Sequence, residues 1–330
     1  MTIEVGIIGG GAWGTALAQV QAVAGRKPLL WARESAVVSA INNEGENTPF
    51  LPDVDLHANV RATSDLDEVA AAKTLLLVTP AQHTRSVLQS IGAEKLAGKN
   101  LVLCAKGIEI ETGELLSVIV HEVAPDATVA VLTGPTFARE IAKGLPSAVT
   151  VAAPDIATAR ALANDLGSKA FRPYASDDVA GAEVGGAIKN VLAIACGIVA
   201  GKQYGDSARA ALLTRGMSEM MRMALALGGR RETLMGMCGM GDLVLTANSM
   251  QSRNFSLGYA LGEGKTQADV LNTRTAVTEG VHTARAAKNL MQKLKIDLPV
   301  MSAVHAVLHE GQNVNTVIDT LLSRPFGDER

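Results

Sequence analysis

Glu4-Val5-Gly6-Ile7-Ile8-Gly9-Gly10-Gly11-Ala12-Trp13-Gly14 sets the fold of this chain. Four apolar or small residues after Glu4 read as a strand, and Gly9, Gly11 and Gly14 satisfy GxGxxG at its end. The helical run Gly14–Ala24 follows and is stopped by Gly25. A strand feeding a glycine-rich turn that opens a helix is the context in which this motif binds a dinucleotide. Gly9 permits the tight turn, Gly11 lets a pyrophosphate approach the backbone, and Gly14 lets the helix pack closely. The helix N-terminus adds unpaired N–H groups and positive potential.

Outward from this loop, short apolar runs alternate with helical ones. Leu29–Ala32, Thr74–Val78, Leu101–Cys104, Val129–Leu132 and Ala148–Ala153 read as strands, while Thr84–Ile91 and Glu114–Val123 read as helices. The alternation predicts βαβ units and a mainly parallel sheet covered on both faces. Asn47–Leu56, with Pro49 and Pro52, reads as a loop. After about residue 178 the strands stop, and long helical segments follow at Val179–Ala200, Ser207–Leu227, Thr278–Lys293 and Pro299–His309. The expected class is therefore α/β: a Rossmann-like N-terminal domain over residues 1–180, then an all-helical substrate domain over 181–330.

Composition agrees with this division. At roughly 150 residues per domain, 330 residues suggest two. Hydrophobic residues are 48% and charged residues 19%, so a long disordered segment is not expected. Net charge is −3 and aromatics are 3%, which argues against nucleic acid as a partner. Residues 1–184 carry 14 basic and 21 acidic side chains, and the remainder 16 and 12, so the second half suits a small anion. Three isolated cysteines form no disulfide framework, and Met1–Glu4 runs into the first strand without a signal peptide. The apolar run Val191–Gly201, 11 residues long, is too short for a membrane span. A reduced, cytoplasmic setting is expected, with assembly as a homodimer left open.

Several residues invite a chemical reading. Arg33 follows the second strand, where NAD-selective folds place an acid; it either meets a 2′-phosphate or adenine, or is a solvated charge. NADPH is therefore favoured over NADH, with Glu34 beside it. Lys106 and Gly134-Pro135-Thr136-Phe137-Ala138 follow strand ends, the side of an open sheet where ligands bind. Lys189 lies in an otherwise apolar helix, flanked at i±3 and i±4 by Gly185, Gly186, Leu192 and Ala193. Three of these four are small, so something must pack closely there. The ammonium needs a partner or a lowered pKa, both suited to proton transfer; the alternative is snorkelling. Asp242, after two glycines, is a candidate partner or a helix cap, and Ser252, Arg253 and Asn254 offer donors for a phosphate. Eight of the 11 methionines lie between Met217 and Met250; core filling accounts for them better than a soft-metal site, and no metal is expected.

Taken together these motifs resemble the bacterial-type NAD(P)-dependent glycerol-3-phosphate dehydrogenases over nearly the whole chain. The carrying segments are Gly9–Ala18, Ala105-Lys106-Gly107, Gly134–Ala138, Ala187–Val191, Gly241-Asp242-Leu243, Thr246, Ser252–Asn254 and Val277–Gly280. The resemblance implies reversible conversion of dihydroxyacetone phosphate to sn-glycerol 3-phosphate, feeding glycerophospholipid synthesis. It implies Lys189 as proton acceptor. The expected mechanism has Asp242 orient Lys189, with Asn190 and Thr246 supporting that network. Lys106, Gly134, Thr136, Lys189, Asp242, Ser252, Arg253 and Asn254 fall on substrate positions. Ala12, Trp13, Arg33, Lys106, Ala138, Arg253, Val277 and Glu279 fall on cofactor positions. Ala12 stands where many members carry Ser, and Phe255-Ser256 where many carry a basic residue. The rival readings are a related hydroxy-acid or sugar-phosphate dehydrogenase, and a dinucleotide-sensing regulatory protein without turnover.

Overall fold

The computed structural model describes residues 3–274 and 277–325. The first two residues, expected to lead into the first strand, lie outside that range. Strands β1 (Val5–Ile8), β2 (Pro28–Trp31), β3 (Arg61–Thr63), β4 (Thr74–Leu77), β5 (Asn100–Leu103), β6 (Thr128–Thr133), β7 (Ser147–Ala152) and β8 (Phe171–Ser176) form one sheet. Its order is β3-β2-β1-β4-β5-β6-β7-β8. Every pairing is parallel except β6 with β7. The chain reverses its direction of travel across the sheet at β1, which pairs Ile8 with Trp31 of β2 and with Leu77 of β4. A ligand crevice opens outside the carboxyl ends of the strands at such a switch point.

Burial on both faces explains the continuous apolar strands. Ile7, Leu30, Leu76 and Val102 pack into one core, and Ile8, Leu29, Leu75, Leu77 and Leu101 into the other. The two strands unmarked in the sequence have physical reasons to be inconspicuous. β3 is a three-residue edge strand. β8 holds Pro173 and exposes Arg172 and Tyr174, so it lacks the apolar run of a central strand.

The helical half is arranged about Val179–Gly201. It packs on Arg253–Gly262 through mutual glycines: a Cβ on Gly197 would lie 2.1 Å from the Phe255 carbonyl, and one on Gly258 2.0 Å from the Ile194 carbonyl. Helices Gly205–Ala226, Glu279–Leu294 and Pro299–His309 complete this core, in which Met217, Met220 and Met223 are buried. The helix read from the sequence as Val179–Ala200 runs Val179–Gly201, 23 residues, and although its Val191–Gly201 apolar run alone is too short, by length and composition the whole helix would reach across a bilayer. Its apolarity serves the core instead, since 83% of its most apolar window is buried inside the protein. Ser252 caps helix Arg253–Gly262, its Oγ accepting from the Phe255 N–H at 3.2 Å.

Candidate active site

The glycine loop leaves room for a dinucleotide. Gly9 has φ +134°, and a Cβ on Gly14 would lie 1.9 Å from the Gly9 carbonyl, so the helix sits directly on the turn. Around Gly11, the residue preceding helix Ala12–Val23, nothing would meet a Cβ within 4 Å. That open side is where a pyrophosphate can approach. Asn47, fully buried, braces the loop from behind: its Nδ2 donates to the Gly10 carbonyl at 2.9 Å and to Thr15 Oγ1 at 2.7 Å. Nothing in the sequence marks Asn47, because an Asn before Thr-Pro reads as an ordinary turn residue. Trp13, in the first turn of the helix, has a buried Nε1 with no partner among the described residues. Arg33 is exposed at the end of β2, with Nη2 2.8 Å from Glu34 Oε1.

Across the crevice three charged residues meet. Lys189 projects from the Val179–Gly201 helix, and its Nζ donates to Asp242 Oδ1 at 2.8 Å and Thr246 Oγ1 at 2.7 Å. Lys106, just beyond β5, donates to Asp242 Oδ2 at 2.5 Å and to the Gly134 carbonyl at 3.1 Å. Asp242 is completely buried and bridges the two ammonium groups. The small residues beside Lys189 make this convergence possible. A Cβ on Gly185 would lie 2.5 Å from the Cys238 carbonyl, in the turn that leads to Asp242. A Cβ on Gly186 would lie 2.7 Å from Thr133 Oγ1, at the end of β6. Burial lowers the Lys189 pKa to about 8, with the Lys106 charge acting in the same direction and Asp242 opposing both. The group is thus able to give or take a proton near neutral pH.

The remaining candidates lie around this centre. Gly134 has φ +157° and a site for Cβ only 2.8 Å from Val149 Cα, and Thr136 Oγ1 donates to the Gly134 carbonyl at 3.3 Å. Ala138 opens the short helix Ala138–Ala142. Val277 is exposed, two residues before Glu279. Glu279 starts helix Glu279–Leu294 and faces Gly107, whose Cβ would lie 3.5 Å from Glu279 Oε2. That oxygen is buried and has no partner among the described residues, and burial pushes the Glu279 pKa up to about 7 against the Ala81 N–H and the Arg253 charge. A buried acceptor without a donor suits an amide or hydroxyl of a bound molecule. Together with the open face of Gly11 and the orphaned Trp13 N–H, it fits a nicotinamide dinucleotide.

Asn190 does not meet Lys189, whose network it was expected to support. Its Oδ1 accepts from Asn254 Nδ2 at 2.9 Å instead, and Asn254 Oδ1 accepts from the Gly280 N–H at 2.9 Å. Asn254 is thereby committed to joining three helices, with one N–H left for a ligand. Among the described residues the Arg253 side chain, exposed at its surface, has no polar partner; partial desolvation lowers its pKa, against the opposing charge of Glu279.

Residues 4–159 match the family model described as NAD-dependent glycerol-3-phosphate dehydrogenase N-terminus, and residues 178–319 match its C-terminus. A glycerol-3-phosphate dehydrogenase of the NAD(P)+ type from Parvibaculum lavamentivorans is 54% identical over 99% of this chain and 98% of the relative. One from Caulobacter vibrioides is 48% identical over 100% of both. The solved glycerol-3-phosphate dehydrogenase of Coxiella burnetii superposes with a TM-score of 0.93 at 36% identity, covering 98% of this chain and 99% of that one. Two domain models in tandem, full-length relatives and the crevice geometry lead to one conclusion: this chain belongs to the NAD-dependent glycerol-3-phosphate dehydrogenase family.

Proposed function

We propose that this protein interconverts dihydroxyacetone phosphate and sn-glycerol 3-phosphate with NAD(P)H, in support of glycerophospholipid synthesis, with residues 1–180 binding the dinucleotide and 181–330 the substrate. The observation that carries the chemistry is the buried Lys189–Asp242–Lys106 array at the mouth of the sheet. The dinucleotide supplies or accepts hydride at substrate C2. In the reducing direction Lys189 Nζ gives a proton to the oxygen on C2, and in the oxidising direction its neutral form takes that proton away. Asp242 and Thr246 hold Nζ in place, and Lys106 steadies the second carboxylate oxygen. Arg253, Ser252 and the free N–H of Asn254 receive the substrate phosphate, with Gly134 and Thr136 lining its approach. Fixing the phosphate holds C2 in register with the proton donor.

Gly9, Gly11, Ala12, Trp13 and Gly14 would receive the cofactor's pyrophosphate at the glycine loop, and Lys106, Ala138, Arg253, Val277 and Glu279 would complete its site. Arg33 has the position and charge to meet a 2′-phosphate, which favours NADPH. Its pairing with Glu34 is surface-exposed and easily exchanged. Homodimer formation completes the reading, with exposed Met235, Val244 and Met250 as apolar surface for a second copy; sedimentation velocity tests it. The deciding assay is nicotinamide oxidation with dihydroxyacetone phosphate, using NADPH and NADH in parallel. Turnover that depends on the substrate phosphate is expected. Tight NADPH binding without turnover would favour the sensor reading, and turnover on an unphosphorylated hydroxy acid the related dehydrogenase.

A further inference from the structure

Arg274 lies between helix Gln267–Leu271 and the Val277–Glu279 segment, and no role described so far uses it. Its Nη1 donates to the Arg253 carbonyl at 2.6 Å and to Thr278 Oγ1 at 3.2 Å. Its Nη2 donates to Ser256 Oγ at 2.8 Å. All three acceptors are neutral, and among the described residues the ion pairs engage other cations. A guanidinium is ordinarily matched to a carboxylate or phosphate, whose flat two-oxygen edge fits its fork. Here it is used to fix backbone: it fastens the first turn of helix Arg253–Gly262 to Thr278, one residue from Glu279.

The charge arrangement is equally unusual. Arg274 is gripped to the Arg253 carbonyl, and burial and the Arg253 charge both lower the basicity of Arg274. Two like charges held near one another repel, and a dianion bound by both relieves that repulsion. One cation clamped beside another suits an anion.

We propose that Arg274 is a positioning residue for phosphate recognition: its three-way clamp aims the Arg253 guanidinium at the substrate's phosphate monoester and places a second positive charge behind it. The inference rests on the functional reading above.

The test compares wild type with Arg274→Met, Arg274→Lys and the double variant Ser256→Ala/Thr278→Val. Steady-state rates with dihydroxyacetone phosphate and with unphosphorylated dihydroxyacetone are measured, together with calorimetric binding of inorganic phosphate and of NADPH. For Arg274→Met, KM for dihydroxyacetone phosphate and Kd for inorganic phosphate each rise about tenfold, the scale of one lost charged hydrogen bond. Turnover at saturation, the rate on dihydroxyacetone and the NADPH Kd stay at wild-type values. Arg274→Lys, which keeps the charge but not the fork, recovers part of the loss. The double variant keeps the charge with two acceptors gone and shows a smaller rise; it carries the test if Arg274→Met melts below the assay temperature. Equal losses on both ketones would mean a merely structural role and overturn the proposal. So would a loss confined to NADPH affinity, which would assign the charge to the cofactor's phosphate, or no change at all. If wild type fails to reduce dihydroxyacetone phosphate, the functional reading falls by itself, while phosphate calorimetry still reads the clamp.

Discussion

A lysine removed from water loses its hydration as an ion, so its proton is held less tightly. Lys189 is brought to about pH 8 by burial first and by Lys106 second, with Asp242 pulling the other way. The charge state sets a directional pH dependence. With Lys189 as the proposed proton acceptor, oxidation of glycerol 3-phosphate needs the neutral amine, so its rate rises with pH and levels off above about 8. Reduction needs the ammonium and declines above the same value. Lys106→Met removes a cation that lowers the Lys189 pKa, so the oxidative limb moves to higher pH. A pH–rate profile of both enzymes checks this; a limb that stays put or moves to lower pH would remove Lys106 from the proton balance. At this scale the sequence was informative where a residue is out of place, as a lysine between glycines in an apolar helix is. It was silent about Asn47 and misleading about Asn190, because an amide's partner is chosen by tertiary contact and not by spacing.

Elements reach the site by close approach, and the glycines separate into two kinds. Gly185 is small because a neighbouring element presses on it: a methyl there would stand 2.5 Å from the Cys238 carbonyl and displace the turn that delivers Asp242. Gly11 is small toward open space that a ligand would use. Gly185→Ala therefore costs about 1–3 kcal/mol of stability, the range for overpacking, and impairs turnover through Asp242. Gly11→Ala leaves the melting temperature of the free protein unchanged and weakens NADPH binding about tenfold, as lost backbone approach implies. Thermal melts with and without NADPH distinguish the two; a Gly11→Ala protein that melts early when free would refute the division. The central strands were legible because burial on both faces demands unbroken apolar runs. β3 and β8 were not, because an edge strand meets no such demand. Helix Arg253–Gly262 was missed because its start, Ser-Arg-Asn, reads equally as a loop until Phe255 and Leu257 are seen to face the core.

Across the whole molecule the two halves are joined by a buried carboxyl group. Glu183, on the Val179–Gly201 helix, accepts from the Ser117 backbone N–H at 3.0 Å and from the Ser117 hydroxyl, at the start of helix Leu116–Val123 in the sheet-bearing half. The two-part organisation was readable from the end of the strand pattern, but this joint was not, since Ser117 and Glu183 are 66 residues apart and each is unremarkable locally. Burial raises the Glu183 pKa from 4.5 to about 7, outweighing the bonds from Ser117 and Leu116 that favour the ionised form. The unfolded chain thus releases this proton at lower pH than the native protein does. The contribution of Glu183 to stability is complete below about pH 4.5 and is lost as pH rises through about 7. At about 1.4 kcal/mol per unit, the loss over that window is on the order of 3 kcal/mol. Glu183→Gln keeps a neutral acceptor for the Ser117 N–H and cannot ionise. Glu219 and Glu279, which burial also raises to about 7, remain in both proteins and cancel in the comparison. The melting temperature of wild type minus that of Glu183→Gln should therefore shrink steadily as the buffer is taken from pH 5 to pH 8, reversing sign if the ionised group is costly enough. A difference that stays constant would mean that Glu183 does not titrate in this window, and one that grows with pH would mean that its hydrogen bonds outweigh its burial.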